Sequence, residues 1–474
     1  MSNLVYGVKD KPGLWKTIVF ALQQVLAILA ATIAVPAIVG NGMSQSAALF
    51  GAGVGTLVYL LFTKFKSPVF LGSSFAFLKS MGVAFSSALG NVLLGYTGLI
   101  LGAIFAGLVY VIIALVVKFA GVKWIDKIMP AAVIGPTVAI IGLSLSGNAI
   151  GDLFKGSVTK MVDVPVYSQL NPEVILEVVP TATPVASPYI AMLCGLVTLA
   201  TVIICSVYGK KMAKMIPFII GICAGYALAT IFTIIGNVAN IEALQIINFG
   251  LFANMQWVPE FTFVQAFQGL GEINGSYVVT ILVAYVPVAF VVFAEHLADH
   301  KNISSIIGTD LTKDPGLYRT LLGDGIGSMA GAFFGGCPNT TYGESVGCVA
   351  ISGNASVVTI FTAAVICLVA SFFAPFVTFL ATIPSCVMGG VCVSLYGFIA
   401  VSGLKMVQKV DLNENNNLFT VSVILIAGVG GMVINIGEVT ITSIACALIL
   451  GILVNILGNI KSKKAKEETE EKAE

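Results

Sequence analysis

Two carboxylates stand where an ionisable side chain is strongly disfavoured. Glu295 closes the apolar run Tyr285-Val286-Pro287-Val288-Ala289-Phe290-Val291-Val292-Phe293-Ala294. A carboxylate inside so apolar a stretch is a functional candidate by default. Glu344 follows Tyr342-Gly343 at the start of a short helical stretch. A helix start offers free N–H groups and the positive end of the helix dipole. A small polar ligand can use the carboxylate and those N–H groups together. The structural reading of each glutamate is a partner for another helix, but two such residues, one of them beside a broken span, favour a shared site.

Other polar groups cluster nearby in sequence. Asp299 lies four residues after Glu295, on the same face of a helix. Two carboxylates that close need not both ionise, which suits a proton-binding role. Asp299 can equally sit solvated at the cytoplasmic mouth. His296 and His300 are the only histidines. His296 points to a different face from Glu295 and reads as an interior group. Glu-His-x-x-x-His is not a zinc spacing, so no metal and no cofactor are expected. The nine cysteines form no CxxC pair and read as small buried hydrophobes. Asp324, in Gly323-Asp324-Gly325, and Lys79 either pair across the bundle, or Lys79 snorkels to the outer interface. No nucleophile–base pair is visible, so the chain is not read as an enzyme.

The elements that must position these groups are membrane spans. Of the 474 residues 57% are hydrophobic and 10% charged, against about 25% charged in soluble domains. Such a chain cannot cover a water-facing surface, and lipid must be its solvent. The net charge of +1, with no basic patch outside short loops, gives no footprint for nucleic acid. The first apolar stretch has no A-x-A site, so no cleavable signal peptide is expected. A span needs about 20 apolar residues. Long candidates run roughly over 15–39, 44–63, 92–118, 128–148, 189–209, 216–237, 273–298, 316–335, 355–380, 382–402, 417–436 and 439–460. Two shorter, interrupted stretches at 68–88 and 336–353 bring the expected number to fourteen. With both termini cytoplasmic, every one of the 24 Lys and Arg residues but Lys79, Lys155 and Lys160 falls on the inside, as the positive-inside rule requires. The segment 149–188, with Asp152, Asp163, Glu173 and Glu177, then forms a long acidic outer loop, and the tail 461–474 a charged, solvated end.

The two interrupted stretches are alike. The first reads Leu71-Gly72-Ser73-Ser74-Phe75-Ala76-Phe77, the second Gly336-Cys337-Pro338-Asn339-Thr340-Thr341-Tyr342-Gly343-Glu344. They hold corresponding places if the chain divides seven plus seven. Paired broken spans mark the binding site in inverted-repeat transporters, because non-helical backbone at membrane depth must line a cavity or be buried in protein. The expected fold is an all-α polytopic membrane protein, with fourteen transmembrane segments in a 7+7 inverted repeat and two broken spans with short extended stretches.

These stretches, with Ala294-Glu295-His296 and Asp314-Pro315-Gly316-Leu317, resemble the nucleobase–ascorbate transporter family, and most closely its bacterial uracil-transporting branch. The resemblance runs over essentially the whole chain. It implies a core domain at 1–120 and 261–380 and a gate domain at 121–260 and 381–460. It also implies a homodimer in the cytoplasmic (inner) membrane and proton-coupled uptake of uracil by an alternating-access, elevator-type movement. By the same resemblance Glu295 and Glu344 bind the N–H and carbonyl edge of the base. Phe75, Tyr342 and Gly343 add contacts, Ser345 belongs to the same motif, and Asp299 and Glu295 carry the proton coupling. The family motif reads here Glu344-Ser345-Val346-Gly347, then Ser352; Ser345 and Ser352 replace the usual Asn and Thr. Glu at its first position resembles the uracil branch rather than the purine branch, and Asp299 stands where uracil permeases commonly have His. The alternatives are a xanthine or uric-acid permease of the same family and, from another class, an anion transporter of the same architecture.

Overall fold

The computed structural model describes residues 4–167, 175–210, 212–436 and 439–471. Glu173, Lys211 and Lys472, counted above among the loop and tail charges, lie outside them. Among the described residues, eight helices are long and apolar enough to cross a membrane. Their ends follow local chemistry. Ser44, Asn91 and Asn274 cap helix starts by accepting from Ala47 N, Leu94 N and Tyr277 N at 3.2, 3.2 and 2.8 Å, as short polar side chains do. Pro188 and Pro217 open two others, where a missing N–H is harmless. Gly308, Gly336 and Gly353 close helices in the left-handed region.

The chain forms two compact units. One comprises Met1–Leu145, Trp257–Val377 and Leu395–Glu474; the other comprises Ser146–Gln256 and Thr378–Ser394. These units reflect packing density. In the first unit the helices Gln45–Phe62 and Leu317–Gly335 approach backbone to backbone. A Cβ on Gly327 would stand 2.7 Å from Gly55 O, and one on Gly55 2.8 Å from Gly327 O. Small residues permit this contact, which membrane bundles use in place of a hydrophobic driving force.

Two expected spans need correction, and the outer loop and the tail carry regular structure. The span at 355–380 is two helices, Val357–Ala370 and Ala374–Thr382, bent by 86°. Pro375 has no N–H to donate back into the first helix and sits in the first turn of the second, where that missing N–H is harmless. The span at 417–436 ends as a helix at Val429, and Ile434–Ile436 pairs antiparallel with Val439–Ile441, a segment rich in the β-branched residues that favour strands. The outer loop holds an antiparallel pair, Thr159–Tyr167 with Ile175–Pro184. In the same unit Lys160 Nζ meets Glu242 Oε1 at 2.6 Å. The tail continues the last helix, Ser443–Glu471, as its run of Lys, Glu and Ala allows. Of the cysteines, Cys223 is exposed and Cys205 partly exposed, and the other seven are buried.

Candidate functional site

The two interrupted stretches meet. Leu71–Ser73 pairs antiparallel with Asn339–Thr341, in the register Leu71↔Thr341, Gly72↔Thr340 and Ser73↔Asn339. All six residues are buried. The pair is extended at both ends by Ser74 N donating to Pro338 O at 2.9 Å and Tyr342 N to Phe70 O at 3.2 Å. Each strand runs into a short helix: Phe75–Phe77 leads into Leu78–Ser86, and Tyr342 precedes Gly343–Ser352. The ribbon is held from outside by Thr56, whose Oγ1 accepts from Leu71 N at 2.9 Å. Tyr342 lies across it, its hydroxyl donating to Ser73 O at 2.7 Å. A Cβ on Gly72 would collide with the Tyr342 ring, so only glycine permits that approach.

A small cavity lies beside the ribbon. It is lined by Phe75, Ala76, Ile141, Glu295, Thr340, Tyr342, Glu344 and Ile399. Glu295 comes from the long helix Gly275–Ile307 and Glu344 from the first turn of Gly343–Ser352. The fold thus brings the two glutamates, distant in sequence, onto one cavity. Both are partly buried, and Phe75 and Tyr342 are buried beside them. Phe75 is itself set by an edge contact with Tyr396, ring centroids 5.4 Å apart. Among the described residues, no Lys or Arg lines the cavity.

The remaining candidates fall around this space. Asp299, on the Glu295 helix, accepts from Thr341 Oγ1 at 2.7 Å, so it touches the strand. Gly343 lies next to it: a Cβ there would be 3.8 Å from Asp299 Oδ1. Ser345 does not line the cavity. Its Oγ accepts from Phe70 N at 3.2 Å and its carbonyl from Gln24 Nε2 at 3.3 Å, which ties the short helix to its neighbours. Ala76 and Thr340 stand in the two interrupted stretches without a role of their own in the sequence, and Ile141 and Ile399 read there as ordinary span residues.

Lys79 and Asp324 do not pair. Lys79 Nζ donates to Ser443 Oγ at 2.7 Å. Asp324 Oδ2 meets His296 Nδ1 at 2.7 Å, both fully buried. His296 Nε2 lies 3.0 Å from Thr320 Oγ1, and its ring stacks on His300 with centroids 3.9 Å apart. His300 Nδ1 faces the His296 carbonyl at 2.8 Å. A carbonyl only accepts, so Nδ1 carries the proton and, in the neutral ring, Nε2 accepts from Tyr59 Oη at 2.7 Å. Tyr59 in turn lies 2.6 Å from Ser67 Oγ. Both histidines therefore have interior partners on the helices Gln45–Phe62 and Leu317–Gly335 and steady the helix that carries Glu295. The Asp314 carboxylate, from the Asp-Pro-Gly-Leu stretch, pairs with Lys66 at 2.5 Å on the exposed surface, where ion pairs contribute little.

The Permease family model (Xan_ur_permease) matches residues 15–437. The chain is similar to the uracil permease of Bacillus caldolyticus, 35% identical over 460 residues, which cover 96% of this chain and 95% of that one. It is 36% identical over 457 residues to the uracil permease of Bacillus subtilis (strain 168), covering 95% and 94%. Its fold is similar to that of the transmembrane domain of a cyanobacterium bicarbonate transporter, BicA. The TM-score is 0.56 at 16% identity, over 95% of this chain and 98% of that one. The architecture is thus the seven-plus-seven, core-and-gate fold of a multi-pass membrane transporter.

Proposed function

We propose that this chain, which belongs to the nucleobase–ascorbate transporter family, carries uracil across the cytoplasmic membrane by proton-coupled alternating access. The observation that carries the reading is the single cavity onto which Glu295 and Glu344 both open, between Phe75 and Tyr342. Uracil presents alternating N–H donors and C=O acceptors on a flat ring. A carboxylate accepts from N–H, and free N–H groups at the start of a short helix donate to C=O. Aromatic faces suit a planar ring. An acidic cavity without a basic side chain among the described residues is poorly matched to an anion, which sets the anion-transporter alternative aside. The family relatives named above are uracil permeases, which favours uracil over xanthine.

Residues 1–120 and 261–380 form the moving core in this reading, and 121–260 and 381–460 the gate. Ile141 and Ile399 then face the core glutamates from the gate side of the cavity. The protein works as a homodimer with both termini in the cytoplasm. Competition tests the substrate: excess unlabelled uracil suppresses uptake of labelled uracil, and excess xanthine leaves it nearly unchanged. Strong xanthine competition with weak uracil uptake would overturn the assignment.

Asp299 is the proposed coupling group. It reaches the site through Thr341, next in the strand to Thr340. An amide at 299 still accepts from the Thr341 hydroxyl but no longer titrates. In Asp299→Asn, uracil uptake therefore persists but no longer rises with an imposed proton gradient, and a protonophore has no effect. Retained sensitivity to the protonophore would remove Asp299 from the coupling.

A further inference from the structure

The cavity holds one more group able to read a ligand. Thr340 is the middle residue of its strand, opposite Gly72. Both of its strand neighbours are committed elsewhere: Asn339 Nδ2 donates to Gly51 O at 3.1 Å, and Thr341 Oγ1 donates to Asp299 Oδ2. Side chains alternate along a strand, so Thr340 points away from both. Accordingly, Asn339 lines a separate space with Asp324 and Tyr110, whereas Thr340 lines the cavity of Glu295 and Glu344. Thr340 is 2% exposed. Its hydroxyl has no hydrogen-bond partner among the described residues, although a buried hydroxyl is strongly driven to find one.

We propose that Thr340 is a specificity-determining residue whose hydroxyl donates a hydrogen bond to a ring carbonyl of the bound base. The inference rests on the uracil reading of the cavity and deepens it. An ionised carboxylate can only accept, so Glu295 and Glu344 suit the ring N–H groups and leave the carbonyls to be matched by donors. The Thr340 hydroxyl is a neutral donor on a residue that lines the same cavity, and none of the described residues holds it, so a rotation about its side chain can turn it to the ligand. The class of ligand it selects is a cyclic imide or ureide, with C=O flanked by N–H. A ring whose carbonyl is replaced by a thiocarbonyl, a poorer acceptor, gains less from it.

The test is calorimetric binding to the purified full-length protein, using uracil, 2-thiouracil and 4-thiouracil. Thr340→Val keeps the shape of the side chain and removes the hydroxyl. Uracil should bind about tenfold more weakly, the loss expected for one neutral hydrogen bond. One of the two thio analogues, the one whose sulfur faces residue 340, should lose at most about threefold, because the weaker bond it makes has less to lose. Thr340→Ala gives the same readout if valine disturbs the strand. Thr340→Ser, which restores the hydroxyl, should recover most of the affinity lost in Thr340→Ala. Wild-type uracil affinity in both the valine and alanine variants would overturn the proposal while leaving the uracil reading intact. Absence of uracil binding to the unaltered protein would instead overturn the reading on which the proposal rests.

Discussion

Replacing Glu295 by alanine brings uracil uptake down to the level of vesicles without the protein. Glu295 projects from the middle of the 33-residue helix Gly275–Ile307 onto the cavity. Its neighbours His296 and His300 have interior partners in Asp324, Thr320 and Tyr59, so the helix keeps its packing when the 295 side chain is cut back. What disappears is a carboxylate acceptor for a ring N–H, in a place where water replaces it poorly. Charge-assisted hydrogen bonds contribute about 1.5–3 kcal/mol each. Their loss, with the ligand N–H left unpaired on burial, lowers affinity by at least about 100-fold. Glu295 also shares a helix face with Asp299, so its removal disturbs the proposed coupling pair as well. Normal uptake by Glu295→Ala, with the variant present in the membrane at wild-type level, would take Glu295 out of the mechanism.

Glu344→Gln is the second large effect, and it is expected in binding itself. The change conserves size at the first turn of Gly343–Ser352. The scaffold bonds of Tyr342 and Ser345 to Ser73, Phe70 and Gln24 remain available. The amide, however, places an N–H₂ group where the carboxylate offered only acceptors, and a donor facing a ring N–H is repulsive. The affinity for uracil should fall by about 10- to 150-fold, while the yield and melting temperature of the purified protein stay close to those of the wild type. Calorimetry on the purified variant separates this from a folding defect. Unchanged affinity would refute the contact.

Much of this site is legible in the amino-acid sequence. Glu295 and Glu344 stand out because an apolar chain leaves few reasons for a carboxylate at membrane depth. That 71–73 and 339–341 belong to one site follows from two glycine- and serine-interrupted stretches in corresponding halves, whereas their pairing as strands emerges only in the fold. Other parts are hidden for identifiable reasons. Ile141 and Ile399 are chemically identical to lipid-facing isoleucines, and only the tertiary fold turns them inward. Thr340 and Thr341 are adjacent and alike in sequence; strand alternation sends one to the cavity and the other to Asp299. Lys79 and Asp324 invite pairing as opposite charges, but each finds a nearer partner, Ser443 and His296. The bend at 370–374 carries a readable signal in Pro375, which a hydropathy window of span length averages away. Ile434–Ile441 is equally apolar as helix or hairpin, and the β-branched pattern that separates the two is only a few residues long.

The central claim is that one cavity, faced by Glu295 and Glu344, accepts uracil and moves it with protons. The most direct measurement is uptake of radiolabelled uracil, with a panel of other nucleobases, into proteoliposomes of the purified protein, with and without an imposed gradient acidic outside. The account predicts that the gradient drives uracil inward above its equilibrium distribution, that a protonophore abolishes this accumulation, and that purines are accumulated poorly. Uracil that merely equilibrates whatever the gradient, or a purine accumulated in its place, would contradict it.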